Sequence, residues 1–237
     1  MGNIPEKYLY ICNNKTLWRL IMKYTIEISP GKARKLLELS TDFECDLEEV
    51  VARTNNLLSP EGIYRVYETA RLSKTSFTIS DKEFHCGAKV CQALEGSKAI
   101  AVLLATIGEG VSTLIGQYNK EYDFLKAYWC DKLANWTLDQ VIEQMKSEIT
   151  HNVEKEGWKT TSNWGPGYCG WNITEQASLL ELLPTEELQV SLSASMLMQP
   201  IKSLSGVIGI GPNVTYKKSG CADCTLSHCA YRSLKKW

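Results

Sequence analysis

The residues that first suggest chemistry are Gly165, Pro166, Gly167 and Tyr168, which are consecutive in the chain. Pro166 fixes its own φ angle while Gly167 leaves the backbone free to turn, so the pair would present Tyr168 from a defined conformation. A helix predicted to begin at Thr174 could offer free backbone N–H groups to an anion such as a carboxylate. The segment therefore predicts either a plain turn with an exposed tyrosine or a loop that binds a small molecule.

Three cysteines near the end of the chain form a second group, in the spacing Cys221-x2-Cys224-x4-Cys229. Thiolates this close in sequence can converge on zinc or on an iron–sulfur cluster. A closed site needs a fourth ligand, for which the candidates are His228, Cys169, Cys86 and Cys91. The alternative is a set of reduced or redox-exchanging thiols, because nine cysteines is an odd number and does not suit a fully paired disulfide framework.

Bulk properties exclude several classes of function. The formal net charge is -1 and no basic stripe interrupts the mixed charges, so nucleic acid is not an expected partner. The sequence has no apolar run of about 18 residues, so we expect no membrane span. Residues 1–22 lack the apolar core of a signal peptide, and we therefore expect a cytoplasmic protein.

These residues must be positioned by a mixed set of elements. The apolar and polar pattern predicts strands over 24–28, 76–79, 99–106, 192–198 and 203–211, and helices over 31–39, 46–57, 88–94, 123–154 and 174–183. We expect Asp46 and Thr174 as N-caps, Gly108 in a tight turn, and Leu125, Trp129, Leu133, Trp136 and Val141 on the core side of the long helix.

Strands and helices do not alternate regularly, which favours the α+β class. We divide the chain into a lead-in segment (1–22), one α+β domain (23–212) and a Cys-rich tail (213–237).

The order of several short motifs resembles the activation (reactivation) domain of cobalamin-dependent methionine synthase, here as a free-standing homologue. The motifs in chain order are Ala105-Thr106-Ile107-Gly108, Asp131-Lys132-Leu133, Pro166-Gly167-Tyr168, Thr174-Glu175-Gln176, Met196 to Pro200 and Lys202-Ser203-Leu204-Ser205-Gly206. The likeness covers roughly residues 60–211. It implies a mostly antiparallel, twisted sheet with flanking helices.

The resemblance also implies a function and a set of site residues. Domains of this family bind S-adenosylmethionine and present its methyl group to inactive cobalamin, with one electron from a donor such as flavodoxin. Tyr168 and the backbone of residues 165–167 would lie against S-adenosylmethionine. Asn163 stands where the family often has an arginine that clamps the ligand carboxylate, and Asn135 where a glutamate can hold its amine.

The sequence thus predicts an accessory to cobalamin-dependent methyl transfer, which supports reductive re-methylation of a corrinoid carried by a methyltransferase partner. The neutral Asn163 and Asn135 favour an alternative, a redox or metal-binding module on the same scaffold that does not bind S-adenosylmethionine. His85 lies in a near match to a cobalt-binding D-x-H-x-x-G loop, but Glu83 and Ala88 replace its Asp and Gly, so His85 is not predicted as a cobalt ligand. No catalytic residue is predicted.

Overall fold

A computed structural model of the protein describes residues 17–18, 21–155 and 157–215. The strands in chain order are β1 (Leu17–Trp18), β2 (Met22–Lys23), β3 (Glu61–Leu72), β4 (Phe77–Ile79), β5 (Lys82–Phe84), β6 (Ala99–Thr106), β7 (Lys159–Thr160), β8 (Ser191–Leu192), β9 (Met198–Gln199) and β10 (Ser203–Gly211). The α-helices are α1 (Pro30–Leu37), α2 (Glu44–Leu57), α3 (Gly87–Ala93), α4 (Gly110–Lys120), α5 (Phe124–Glu154) and α6 (Gln176–Leu180).

Eight strands form one sheet in the order β5-β4-β3-β6-β10-β7, with β1 and β2 paired to β3, and a separate hairpin joins β8 to β9. Every strand pairing in the described part of the chain is antiparallel. The predicted α+β fold, a mostly antiparallel sheet with flanking helices, is confirmed.

The central strand β6 is buried on both faces, as its continuous apolar sequence predicts. Because side chains alternate along a strand, Leu103 enters one apolar core and Leu104 enters another on the opposite face. Helices α1, α2, α4 and α5 cover the first core, whereas α3, α6 and the segment around Trp164 and Trp171 cover the second. The sheet is therefore the middle layer of three.

Helix α5 crosses the whole of the first core. Its 31 residues give a length of about 46 Å at 1.5 Å per residue. The Asp123 side chain caps its first turn by accepting from the Lys126 N–H. Three of the predicted core residues, Trp129, Leu133 and Val141, are buried, and Trp136 packs partly against the core, but Leu125 is 47% exposed. The prediction for Leu125 was wrong because the first turns of α5 extend beyond the core.

Two predicted strands were wrong. Residues 24–28 pair with no strand, although Tyr24 and Ile28 are buried; the Ile28 N–H instead donates to the Asn55 side chain. Residues 192–198 contain a tight turn with Met196 at a φ of 62°, so the alternating side chains belong to the β8–β9 hairpin. Strand β3 was not predicted, because Pro60 and Gly62 are residues that favour a break in the chain.

Two predicted helix starts were also wrong. Helix α2 begins at Glu44 after a 3₁₀ turn, so Asp46 lies inside its first turn. The predicted helix 174–183 is a 3₁₀ turn (Ile173–Glu175) followed by α6, and its cap is Asn172, which accepts from the Thr174 N–H. None of the helices in the described part of the chain has the length and apolar character needed to cross a membrane.

Candidate functional site

The segment that carries Tyr168 is held against the first half of β10. Trp164 forms a two-way backbone bridge to Val207, with N···O distances of 3.0 and 2.7 Å. Gly165 follows, and a Cβ atom at this position would lie 2.7 Å from the Ser205 carbonyl oxygen. Only glycine allows the two backbones to approach so closely, which explains the first residue of the motif.

The next residues form a closed turn that leaves the tyrosine outside. The Gly167 N–H donates to the Trp171 carbonyl at 2.8 Å, and the Trp171 N–H donates to the Tyr168 carbonyl at 2.9 Å. Gly167 and Gly170 have φ angles of 90° and 87°, in the region that favours glycine. Tyr168 is 58% exposed at the tip of this turn. A ring on a hydrogen-bonded turn can contact a ligand with little loss of backbone entropy.

Glu175 connects this turn to the neighbouring β5–α3 corner. Its carboxylate accepts from the buried Trp171 indole N–H at 2.7 Å and from the His85 backbone N–H at 3.0 and 3.2 Å. On the same side of the sheet, the Gln176 amide donates to the Ser205 hydroxyl at 2.8 Å. The Thr174-Glu175-Gln176 motif therefore supports the loop that presents Tyr168. The sequence predicted a helix start at Thr174 with free N–H groups and did not predict this supporting role; the Thr174 N–H instead donates to the Asn172 side chain.

Asn163 packs inward at the base of the loop. A Cβ atom on Gly206 would lie 2.1 Å from the Asn163 side-chain oxygen, so this glycine provides the space for the amide. The oxygen is buried and makes no hydrogen bond within the described part of the chain.

Asn135 lies on α5 in a polar cluster with Asp131 and Lys202. The Lys202 ammonium, which is largely buried, donates to Asp131 at 2.5 Å and to the Asn135 side-chain oxygen at 2.8 Å. The Asn135 amide nitrogen donates in turn to Asp131 at 3.0 Å. Asn135 therefore binds an internal ammonium group, which the sequence did not predict because Lys202 is 67 residues away.

These two groups lie at the same end of the sheet, the Asn135 cluster on the α5 side and the loop on the side of Trp164 and Trp171. Lys202 directly precedes β10, and its carbonyl accepts from the Ile107 N–H at the end of β6. Ser203 donates to Thr106 at 2.9 Å, and the loop contacts at Ser205 follow two residues later. We call the region where β6 ends and β10 begins the site end. All six predicted cofactor-binding residues lie on or beside it (Asn135, Asn163, Gly165, Pro166, Gly167 and Tyr168).

Large exposed apolar side chains surround this site end. Tyr168 and Ile173 belong to the loop, and Leu197 and Ile201, which are 62% and 69% exposed, come shortly before Lys202 in the chain. The start of α5 and the residue before its cap form an apolar corner of Tyr122, Phe124, Leu125 and Tyr128. In contrast, the shallow hollow along Glu143, Lys146, Ser147, Thr150, His151 and Glu154 is formed by one helix face and lies beside β7, at the other end of β10.

Comparison with known proteins identifies the family. Residues 74–224 match the family described as vitamin B12 dependent methionine synthase, activation domain. The chain belongs to this family. The match covers the site end, the loop of Tyr168 and both strands β6 and β10, and the membership supports a role in cobalamin reactivation.

A solved structure shares the activation-domain fold. The chain is similar to the structure titled "Crystal Structure of the MetH Reactivation Domain bound to AdoHcy", with a TM-score of 0.52 and 15% sequence identity over 83% of this chain and 80% of that chain. At this identity the likeness supports the fold alone. Among curated proteins, none matches the sequence significantly.

The predicted metal ligands Cys221, Cys224 and Cys229, and the candidate His228, lie outside the described residues. Within residues 21–155 and 157–215, no three His, Cys, Asp or Glu side chains are grouped so that they could hold a metal ion. The candidate ligands Cys86 and Cys91 lie instead against each other, with their sulfur atoms 3.0 Å apart. Burial raises the pKa of both thiols.

Proposed function

We propose that this activation-domain protein supports reductive re-methylation of a corrinoid carried by a methyltransferase partner, with S-adenosylmethionine bound at the site end. The observation that carries the proposal is the turn of residues 165–171, which is closed by backbone hydrogen bonds and exposes Tyr168 beside the start of β10. Membership of the activation-domain family supports the corrinoid role.

The residues present fit an adenosyl ligand. The exposed Tyr168 ring offers an aromatic surface, and the exposed Gly167 beside it has no side chain that would crowd a ligand. Gly165 and Pro166 are buried and support this surface from beneath. The related reactivation domain was crystallised with AdoHcy, a compound that shares the adenosyl group. When bound, S-adenosylmethionine would supply the methyl group, while a one-electron donor such as flavodoxin would reduce the cobalamin.

The residues present suit the amino-acid part of S-adenosylmethionine less well than its adenosyl group. Asn163 lies at the base of the loop and Asn135 binds Lys202, so neither side chain supplies the full charge that would pair with a carboxylate or an ammonium group. A charged hydrogen bond contributes roughly 1.5–3 kcal/mol. We therefore propose that the adenosyl group supplies most of the affinity, with Asn163 and Asn135 as neutral neighbours of the amino-acid end.

Calorimetric titration of S-adenosylmethionine and AdoHcy into the anaerobically purified full chain tests the proposal. We expect saturable binding that Tyr168→Ala weakens at least about tenfold, equivalent to the roughly 1.4 kcal/mol of one lost aromatic contact. Tyr168→Phe is the matched control and should bind nearly as the wild type, because the ring is retained. The absence of binding to the wild type at millimolar ligand would refute the S-adenosylmethionine part of the proposal.

A further inference from the structure

Two buried thiols lie at the beginning of α3, apart from the residues proposed to bind ligand. Cys86 directly precedes this helix, Cys91 is inside it, and the two side chains are 0% and 3% exposed. Their sulfur atoms are 3.0 Å apart. A disulfide bond is about 2.05 Å long, so the sulfurs need to approach by only about 1 Å to become bonded.

We propose that Cys86 and Cys91 are an internal modification site, a dithiol that closes to a disulfide when it meets a small-molecule disulfide. The proposal does not depend on S-adenosylmethionine binding or on a corrinoid partner. It also differs from the predicted metal role of these cysteines, because the described residues supply no third ligand beside them.

The backbone on both sides of Cys86 holds its sulfur in place. The His85 N–H donates to the Glu175 carboxylate, and the Gly87 N–H donates to the Thr75 carbonyl at 3.0 Å. Gly87 has a φ of 78°, which turns the chain into α3. Because these bonds fix the corner while Cys91 is fixed by its helix, the two sulfurs are already paired before any reaction.

The surroundings also indicate the order of the reaction. Burial raises the pKa of both thiols. Cys91 is the less buried of the two, at 3% exposed against 0% for Cys86, and we take it as the first attacking thiol. It loses its proton, attacks one sulfur of the small disulfide and releases one thiolate, which leaves a mixed disulfide on Cys91.

The second step closes the ring. Cys86 loses its proton and attacks the Cys91 sulfur, and the second small thiolate leaves. In total the protein loses two protons and two electrons, and the small disulfide is reduced to two thiols.

Cys130 provides an internal comparison. It is buried to the same extent, at 0% exposed, and burial raises its pKa as well. Its sulfur lies 3.5 Å from the Thr54 hydroxyl rather than beside a second sulfur. All three thiols need local opening before a small disulfide can reach them. A single thiol such as Cys130 can then give only a mixed disulfide, whereas a mixed disulfide on Cys91 is displaced at once by Cys86.

The experiment uses the full chain, reduced, desalted and incubated with 2-hydroxyethyl disulfide at about pH 8.5, where thiolates are more populated. Remaining thiols are blocked with N-ethylmaleimide in denaturant before trypsin digestion and mass spectrometry. Trypsin cuts after Lys82, Lys89 and Lys98, so the two cysteines fall in separate peptides, 83–89 and 90–98. We expect these peptides linked, at two hydrogen masses below their sum, and formed at least about tenfold faster than Cys130 is modified.

Three results would overturn the proposal. Both peptides could be recovered as maleimide adducts while the exposed Cys45 reacts, or they could be recovered as separate mixed disulfides. The third result is oxidation no faster than modification of Cys130, which would show that the paired sulfurs have no advantage over a single buried thiol. Cys91→Ser is the variant control, in which peptide 83–89 should be recovered as the maleimide adduct. If that variant does not fold, the peptide map of the wild type still decides the question.

Discussion

At the scale of single residues, the Glu175 carboxylate connects the loop of Tyr168 to a second segment, because it accepts hydrogen bonds from both. One donor is the indole of Trp171, which is 2% exposed, and the other is the backbone of His85. Tyr168 lies at the tip of the turn that Trp171 closes and is 58% exposed.

Glu175→Ala should therefore destabilise the protein by about 1–3 kcal/mol, because it leaves the buried indole N–H of Trp171 without an acceptor. Urea unfolding measures the loss, and the indole N–H resonance of Trp171 reports the local change. Glu175→Gln keeps an acceptor oxygen and should recover most of the stability. Equal losses in both variants would show that the negative charge, rather than the hydrogen bond, is what matters.

Sequence patterns at the residue scale predicted a turn at residues 165–168 but not what supports it. Gly165, Pro166 and Gly167 indicate a turn because their backbone preferences are local properties. The contacts of Glu175 with His85 and of Lys202 with Asn135 join segments 90 and 67 residues apart. Such pairings depend on the tertiary fold, so local patterns could not predict them.

At the scale of elements, local patterns predicted the apolar strands β6 and β10 but missed β3, which depends on tertiary pairing. Strand β6 was predicted with its observed ends because it is apolar throughout, and β10 because its pattern is nearly so. Strand β3 carries Arg65, Glu68 and Arg71 after Pro60 and Gly62, which resembles a polar break. A strand forms there because β6 pairs with it over eight residues and because Gly62 leaves room for Met145 of α5.

The packing of the loop against β10 gives a prediction for Gly206. Gly206→Ala should destabilise the protein by about 2 kcal/mol, because the new Cβ would lie 2.7 Å from the Trp164 carbonyl as well as against Asn163. Gly116 of α4 is the matched control, since a Cβ there meets nothing within 4 Å. Gly116→Ala should instead stabilise α4 by about 1 kcal/mol. Thermal unfolding of both variants checks the opposite signs.

Helices α2 and α5 are joined by Lys126, which lies 2.8 Å from Glu49 and 3.1 Å from Asp46. The hydrogen bond from Lys126, opposed in part by burial, lowers the pKa of Glu49 below its ordinary 4.5. A lowered folded-state pKa stabilises the protein above the unfolded-state pKa, and the stabilisation is lost as the pH falls through the folded-state pKa.

Glu49→Gln should therefore be less stable than the wild type at neutral pH and equally stable at about pH 2, where the carboxyl is protonated in both states. The Glu49 side chain is 45% exposed, so solvent screening limits the difference to below about 1 kcal/mol. Urea unfolding across this pH range measures it, and added salt should reduce it. If the difference in stability persists at acidic pH, its cause is lost packing and not the lost charge of Glu49.

At the scale of the whole molecule, one sheet supports two apolar cores, and this layering predicts how the protein unfolds. Leu103 and Leu104 are adjacent on β6, are both 0% exposed and enter opposite cores. Leu103→Ala and Leu104→Ala should each cost about 2–5 kcal/mol. Because both cores share β6, we expect a single transition for each variant by circular dichroism and by tryptophan fluorescence. Separate transitions would show that the two layers unfold independently.

Exposed apolar side chains are concentrated at the site end, so the two ends of the molecule differ in polarity. This end is apolar, because it carries the apolar corner of α5 together with the exposed Tyr168, Leu197 and Ile201. The α5 surface beside β7 is instead polar and carries Glu143, Lys146, His151 and Glu154. Exposed apolar patches mark contact surfaces or aggregation liabilities. Static light scattering of the isolated protein should therefore show net attraction between molecules. A mild detergent that covers this end should remove the attraction, whereas added salt should not.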